Sequence, residues 1–77
     1  MGERLIIRLE VYLPFRGQRI WRGDEAIAAG TTVADLRSAL AIGEPELAVL
    51  VNGRHAKEEA VLADGDEVAI LRQSEGG

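Results

Sequence analysis

The sequence has no cysteine and one histidine, His55. Disulfides are therefore excluded, and a zinc or iron–sulfur site lacks the thiolates and imidazoles it would need. There is no basic excess either: nine Lys and Arg stand against thirteen Asp and Glu, a net charge of −4. A nucleic-acid binder needs a basic face to displace counterions, so that class is set aside. No apolar run approaches the roughly 20 residues that span a bilayer, and no apolar leader follows Met1-Gly2-Glu3-Arg4. The expectation is a cytoplasmic protein with no membrane contact. What remains is a chain of 77 residues, 47% hydrophobic. It is large enough for one modest core, which patterning alone must hold together.

That patterning is clear at the start. Leu5, Ile7, Leu9, Val11 and Leu13 alternate with Ile6, Arg8, Glu10 and Tyr12, the period-two signature of a strand with one buried face over 4–13. Pro14 and Gly17 bracket a turn. Residues 18–28 return as a second strand through Ile20-Trp21 and Ala26-Ile27-Ala28, where Gly23 suggests a bulge or interruption. Thr32, with Asp35 three residues on, resembles a capping box. Val33, Leu36 and Leu40 fall at helical spacing, so a helix is expected over about 33–42, stopped by Gly43 and Pro45.

The second half is punctuated by turns. Leu47–Val51 is a short apolar strand, and Asn52-Gly53 is the strongest hairpin signal in the chain. Arg54–Lys57 would be the return. Asp64-Gly65-Asp66 marks another tight turn before a last strand over 67–72. Residues 73–77, Gln-Ser-Glu-Gly-Gly, have no apolar anchor and are expected to form a flexible tail beyond a domain of residues 1–72. The order is β-β-α-β-(β)-β: an α+β fold, with one helix on one face of a mixed four- to five-stranded sheet.

No catalytic constellation is present. His55 has no Ser or Asp set around it in the sequence, and Lys57 is the sole lysine. Trp21 is expected to cover the sheet or the hairpin end. Alternation in the last strand buries Val68 and Ile70 and turns Ala69 and Leu71 outward; on the third strand it buries Val49 and Val51 and exposes Leu50. Leu50 and Leu71 would then lie near each other on the sheet face away from the helix.

Val51-Asn52-Gly53, Leu62, Asp64-Gly65-Asp66-Glu67-Val68 and the closing Gly76-Gly77 together resemble the MoaD/ThiS sulfur carriers of molybdopterin and thiazole synthesis. That resemblance implies a ubiquitin-like β-grasp fold and a carrier rather than an enzyme, monomeric when free, with no bound cofactor or metal. It implies that a ubiquitin-activating-type enzyme uses ATP to adenylate the Gly77 carboxylate. A sulfur donor then leaves a thiocarboxylate, whose sulfur passes to a synthase: the molybdopterin synthase large subunit or a thiazole synthase. Gly76 and Gly77, without Cβ atoms, suit a narrow partner channel, and five extended residues reach about 17 Å. Leu50, Ala69 and Leu71 would meet the partners, and Arg72 would steer the tail toward phosphates. Arg72-Gln73-Ser74-Glu75 stands where molybdopterin-type carriers have a proline-containing segment, so the pathway stays open among molybdopterin, thiazole and cysteine. A modifier or interaction module that carries no sulfur is the alternative class.

Overall fold

A computed structural model describes residues 3–42 and 46–72. The elements run β1 (Arg4–Tyr12), β2 (Trp21–Ala28), α1 (Val33–Leu40), β3 (Leu47–Val51), β4 (Arg54–His55) and β5 (Glu67–Arg72). They form one sheet in the order β2-β1-β5-β3-β4. β1 pairs antiparallel with β2 and parallel with β5, while β5 pairs antiparallel with β3. A parallel pair needs a long crossover, and the helix lies within it. The first and last strands thus occupy the middle of the sheet.

The alternation in β1 does what its period implies. Ile7, Leu9 and Val11 have no exposed surface. Val33, Leu36 and Leu40 of α1 pack with them, together with Ile27, Leu47, Val49, Leu62, Val68 and Ile70. Patterning alone carries this core, for among the described residues no polar or charged residue is buried.

The helix begins on the expected device. The Asp35 N–H donates to Thr32 Oγ1 at 3.1 Å, and the Thr32 N–H donates to Asp35 Oδ2 at 3.2 Å. Two further orphan donors at this end, the N–H groups of Val33 and Ala34, donate to the carbonyls of Ala60 and Glu58, each at 3.0 Å. The loop before β5 therefore closes the helix N-terminus. α1 ends at Leu40, two residues short of the expected end, because Ala41 turns left-handed (φ 57°) and donates to Ser38 O. Gly43 and Pro45, expected as its stop, lie outside the described residues.

Two expectations about the first hairpin are corrected. β2 begins at Trp21 rather than residue 18. Residues 15–18 instead form a tight turn closed by mutual Phe15–Gln18 backbone bonds, with positive φ at both Arg16 (51°) and Gly17 (77°). Gly23 makes no bulge, since the register runs unbroken from Arg4–Ala28 to Val11–Trp21. The glycine has another cause: a Cβ there would lie 2.8 Å from Cη2 of Trp21, whose ring crosses it.

Candidate docking face and tail

β5 supplies the candidate face, and two turns fix its register. Asn52 and Gly53 both have positive φ (54° and 83°), the left-handed pair of a tight hairpin turn. The Asn52 side chain then reaches the next turn. Its Nδ2 donates to Asp66 Oδ1 at 3.0 Å, and its Oδ1 accepts the Glu67 N–H at 3.0 Å. Asp66 Oδ2 also accepts from the Ala63 N–H, and Asp64 Oδ1 from the Ile6 N–H, each at 2.8 Å. One amide and two carboxylates thus lock β3, β5 and the start of β1 together. Sequence reasoning found both turns but not the Asn52 side chain joining them. Its signal was faint: an asparagine that suits a left-handed turn also carries a donor and an acceptor to spare.

The face away from the helix follows from that register. Leu50 sits opposite Ala69, and Ala48 opposite Leu71, on β3 and β5; on β1, Glu10 is beside Ala69 and Tyr12 beside Leu71. The fold therefore brings Leu50, Ala69 and Leu71 onto one face, as the alternation implies. The two leucines are partly buried, however, not fully exposed. Ala48, one methyl beside Leu71, is buried on the same face. Arg72 does not join this group. Strand alternation puts it on the helix side of β5, opposite Leu47, at an exposed strand end. Gly76 and Gly77, with the rest of 73–77, lie outside the described residues.

A concavity of about 410 Å³ opens on this face, lined by Arg8, Glu10, Leu50, Gly53, Glu67 and Ala69 among others. Leu50 and Ala69 meet there with one cation, Arg8, and two carboxylates, Glu10 and Glu67. The Tyr12 hydroxyl donates to Glu10 Oε1, holding one of those carboxylates at the apolar margin. Such a surface, part apolar and part charged, fits protein docking. Among the described residues no three His, Cys, Asp or Glu side chains gather to hold a metal. No described helix is long and apolar enough to cross a membrane.

Comparison with known proteins decides the family. The model described as "ThiS family" matches residues 15–77. The chain belongs to the ThiS family. No curated protein sequence matches it at a significant level. Among solved structures, this ThiS-family chain is similar to SAMP1 from Haloferax volcanii, at 24% identity and TM-score 0.67, over 94% of this chain and 99% of that one. It is similar to the HVO 2177 protein of the same organism, at 27% identity and TM-score 0.70, over 96% and 88% of the two chains. It is also similar to Urm1 from Trypanosoma brucei, at 24% identity and TM-score 0.63, over the whole of both. The fold of this ThiS-family chain is thus the ubiquitin-like β-grasp. Its family comprises small ubiquitin-like carrier proteins, which generally work with ubiquitin-activating-type enzymes.

Proposed function

We propose that the chain is a sulfur carrier whose reactive group is the Gly77 carboxylate. Membership of the ThiS family is the observation that carries this reading. A carboxylate is a poor electrophile, so a partner adenylating enzyme must first supply a leaving group. ATP and the carboxylate give an acyl-adenylate and pyrophosphate. The terminal sulfur of a persulfide then attacks the acyl carbon and expels AMP. A second thiol cleaves the resulting acyl disulfide, leaving a thiocarboxylate on Gly77 and a disulfide on the donor. The thiocarboxylate gives its sulfur to a precursor held by a second enzyme, for which we propose the pterin precursor of the molybdenum or tungsten cofactor. Leu50, Ala69 and Leu71 dock the partners, and Gly76 lets the terminus enter a narrow channel. Arg72, on the opposite strand face, contributes at the strand end beside the tail rather than within the docking patch.

The test is intact-mass and fragment spectrometry of protein from its own host, before and after a thiol-alkylating reagent. With no cysteine in the sequence, alkylation mapped to Gly77 identifies a thiocarboxylate. An unlocalised mass change is insufficient, since oxidation of Met1 or Trp21 nearly matches an oxygen-for-sulfur exchange. Gly77 in an isopeptide bond would make the chain a protein modifier instead. A carboxylate left inert by ATP, sulfide and the host's adenylating enzyme would overturn the carrier reading.

A further inference from the structure

The outer edge of β2 is the longest open strand edge among the described residues, and its hydrogen-bonding phase can be read. The Ala29 N–H donates to the Glu3 carbonyl at 2.8 Å. With the register continuing as Arg4–Ala28 and Leu5–Ile27, the odd-numbered residues of β2 bond to β1. The even-numbered ones, Arg22, Asp24, Ala26 and Ala28, direct their backbone groups to the open edge. Ala28 O is already taken by Thr31, whose N–H donates at 3.1 Å and hydroxyl at 2.6 Å. Arg22, Asp24 and Ala26 are left to present theirs outward, and all three are exposed.

An edge strand is usually guarded by charge. Here the two guarding charges are opposite in sign and two residues apart, which makes the edge complementary to itself. We propose that β2 pairs antiparallel with β2 of a second copy about a two-fold axis through Gly23, forming a reversible homodimer with a continuous sheet. Arg22 then lies opposite Asp24 of the second copy, and Asp24 opposite its Arg22, each pair exchanging both backbone bonds. The charges extend beyond the seam. Within one chain Glu10 neighbours Arg22, and Arg8 neighbours Asp24, across β1–β2. Each row across the seam therefore reads Glu10, Arg22, then Asp24 and Arg8 of the second copy: negative, positive, negative, positive.

Other registers lack this match. Centring on Asp24 sets two carboxylates face to face. Centring on Glu25 sets Arg22 against Ala28 and Asp24 against Ala26. The Gly23 register also accounts for two exposed hydrophobic residues. Ile6 is 48% and Ile20 50% exposed. Ile6 neighbours Ala26 across β1–β2, and Ala26 would neighbour Ile20 of the second copy, so the two isoleucines close over one small alanine. On the helix side the axis passes between two glycines, where a close, non-bonded pair leaves room for the Trp21 rings. Leu50, Ala69 and Leu71 stay uncovered on strands away from the seam. This pairing replaces the free monomer expected from the sequence, and it does not depend on the carrier reading.

The experiment is sedimentation velocity on the full chain from about 10 µM to about 1 mM, the range in which so small an edge contact would associate. The wild-type chain should shift from monomer to dimer, less so at high salt. R22D and D24R each place like charges opposite one another across the seam, so each alone should remain monomeric and folded by circular dichroism. An equimolar mixture of R22D and D24R restores opposite charges at both positions and should dimerise. A wild-type chain monomeric throughout overturns the proposal. So does a dimer that survives in both single variants, or a mixture that stays monomeric.

Discussion

The guanidinium of Arg16 lies 4.7 Å from the centroid of the Trp21 ring. The same group stands 4.8 Å over Phe15, whose ring meets Trp21 edge-on at 5.9 Å, and binds Glu25 at 3.0 Å and 3.2 Å. The hydrogen bond to Glu25 raises the Arg16 pKa above its ordinary value; burial opposes the rise, and the Glu25 charge adds to it. Arg16 meets these partners from a left-handed backbone (φ 51°), which costs an L-residue roughly 1 kcal/mol. R16A should keep that strain and lose the contacts, whereas R16G loses the contacts and relieves the strain. R16G should therefore be the more stable by about 1 kcal/mol, as read from urea unfolding.

Gly23→Ala tests the opposite side of the same cluster. The new methyl would need the place of the Trp21 ring edge, and Arg16 and Phe15 restrict where that ring can move. A loss of about 1–2 kcal/mol is expected, with a red-shifted tryptophan emission as the ring becomes wetter. Unchanged emission would show that the backbone yields instead of the ring.

Asn52→Ala removes both bonds of the clasp and puts alanine at positive φ. The expected cost is about 2–3 kcal/mol. Asn52→Gly loses the same bonds without the backbone strain and should cost about 1 kcal/mol less. Hydrogen exchange at Glu67, whose N–H donates to the Asn52 side chain, should quicken in both variants.

The sequence made the framework of this fold legible, and the reason is local. Alternation in β1, the Thr32/Asp35 capping box and the two left-handed turns are each written in a few consecutive residues, so five elements were expected near their places. The misses depend on where side chains fall in three dimensions, which no local pattern states. β2 starts late because residues 15–18 close a tight turn through left-handed Arg16 and Gly17; Gly23 is explained only by where the Trp21 ring falls. The candidate face is a mixed case. Alternation placed Leu50, Ala69 and Leu71 together. The same rule, carried one residue further, assigns Arg72 to the other side, and the depth of the two leucines depends on neighbouring strands.

Leu50→Ser separates docking from folding. Leu50 is partly buried outside the main core, so its truncation should cost only about 1 kcal/mol. If this face meets the adenylating enzyme, kcat/KM for Gly77 adenylation should fall by about tenfold or more. Val61→Ser, at a residue 64% exposed and away from this face, should leave that rate unchanged. Equal rates for all three proteins would place the docking surface elsewhere.

The position of β5 has a mechanical consequence. The strand leading to the proposed reactive terminus is gripped on both sides, parallel to β1 and antiparallel to β3. A pull on the chain beyond Arg72, along the strand, loads both ladders in shear, so many hydrogen bonds must yield together. A strand at the sheet edge, or one peeled crosswise, would open bond by bond like a zipper. Under the proposed carrier role, a partner can therefore tug this terminus without unravelling the domain behind it.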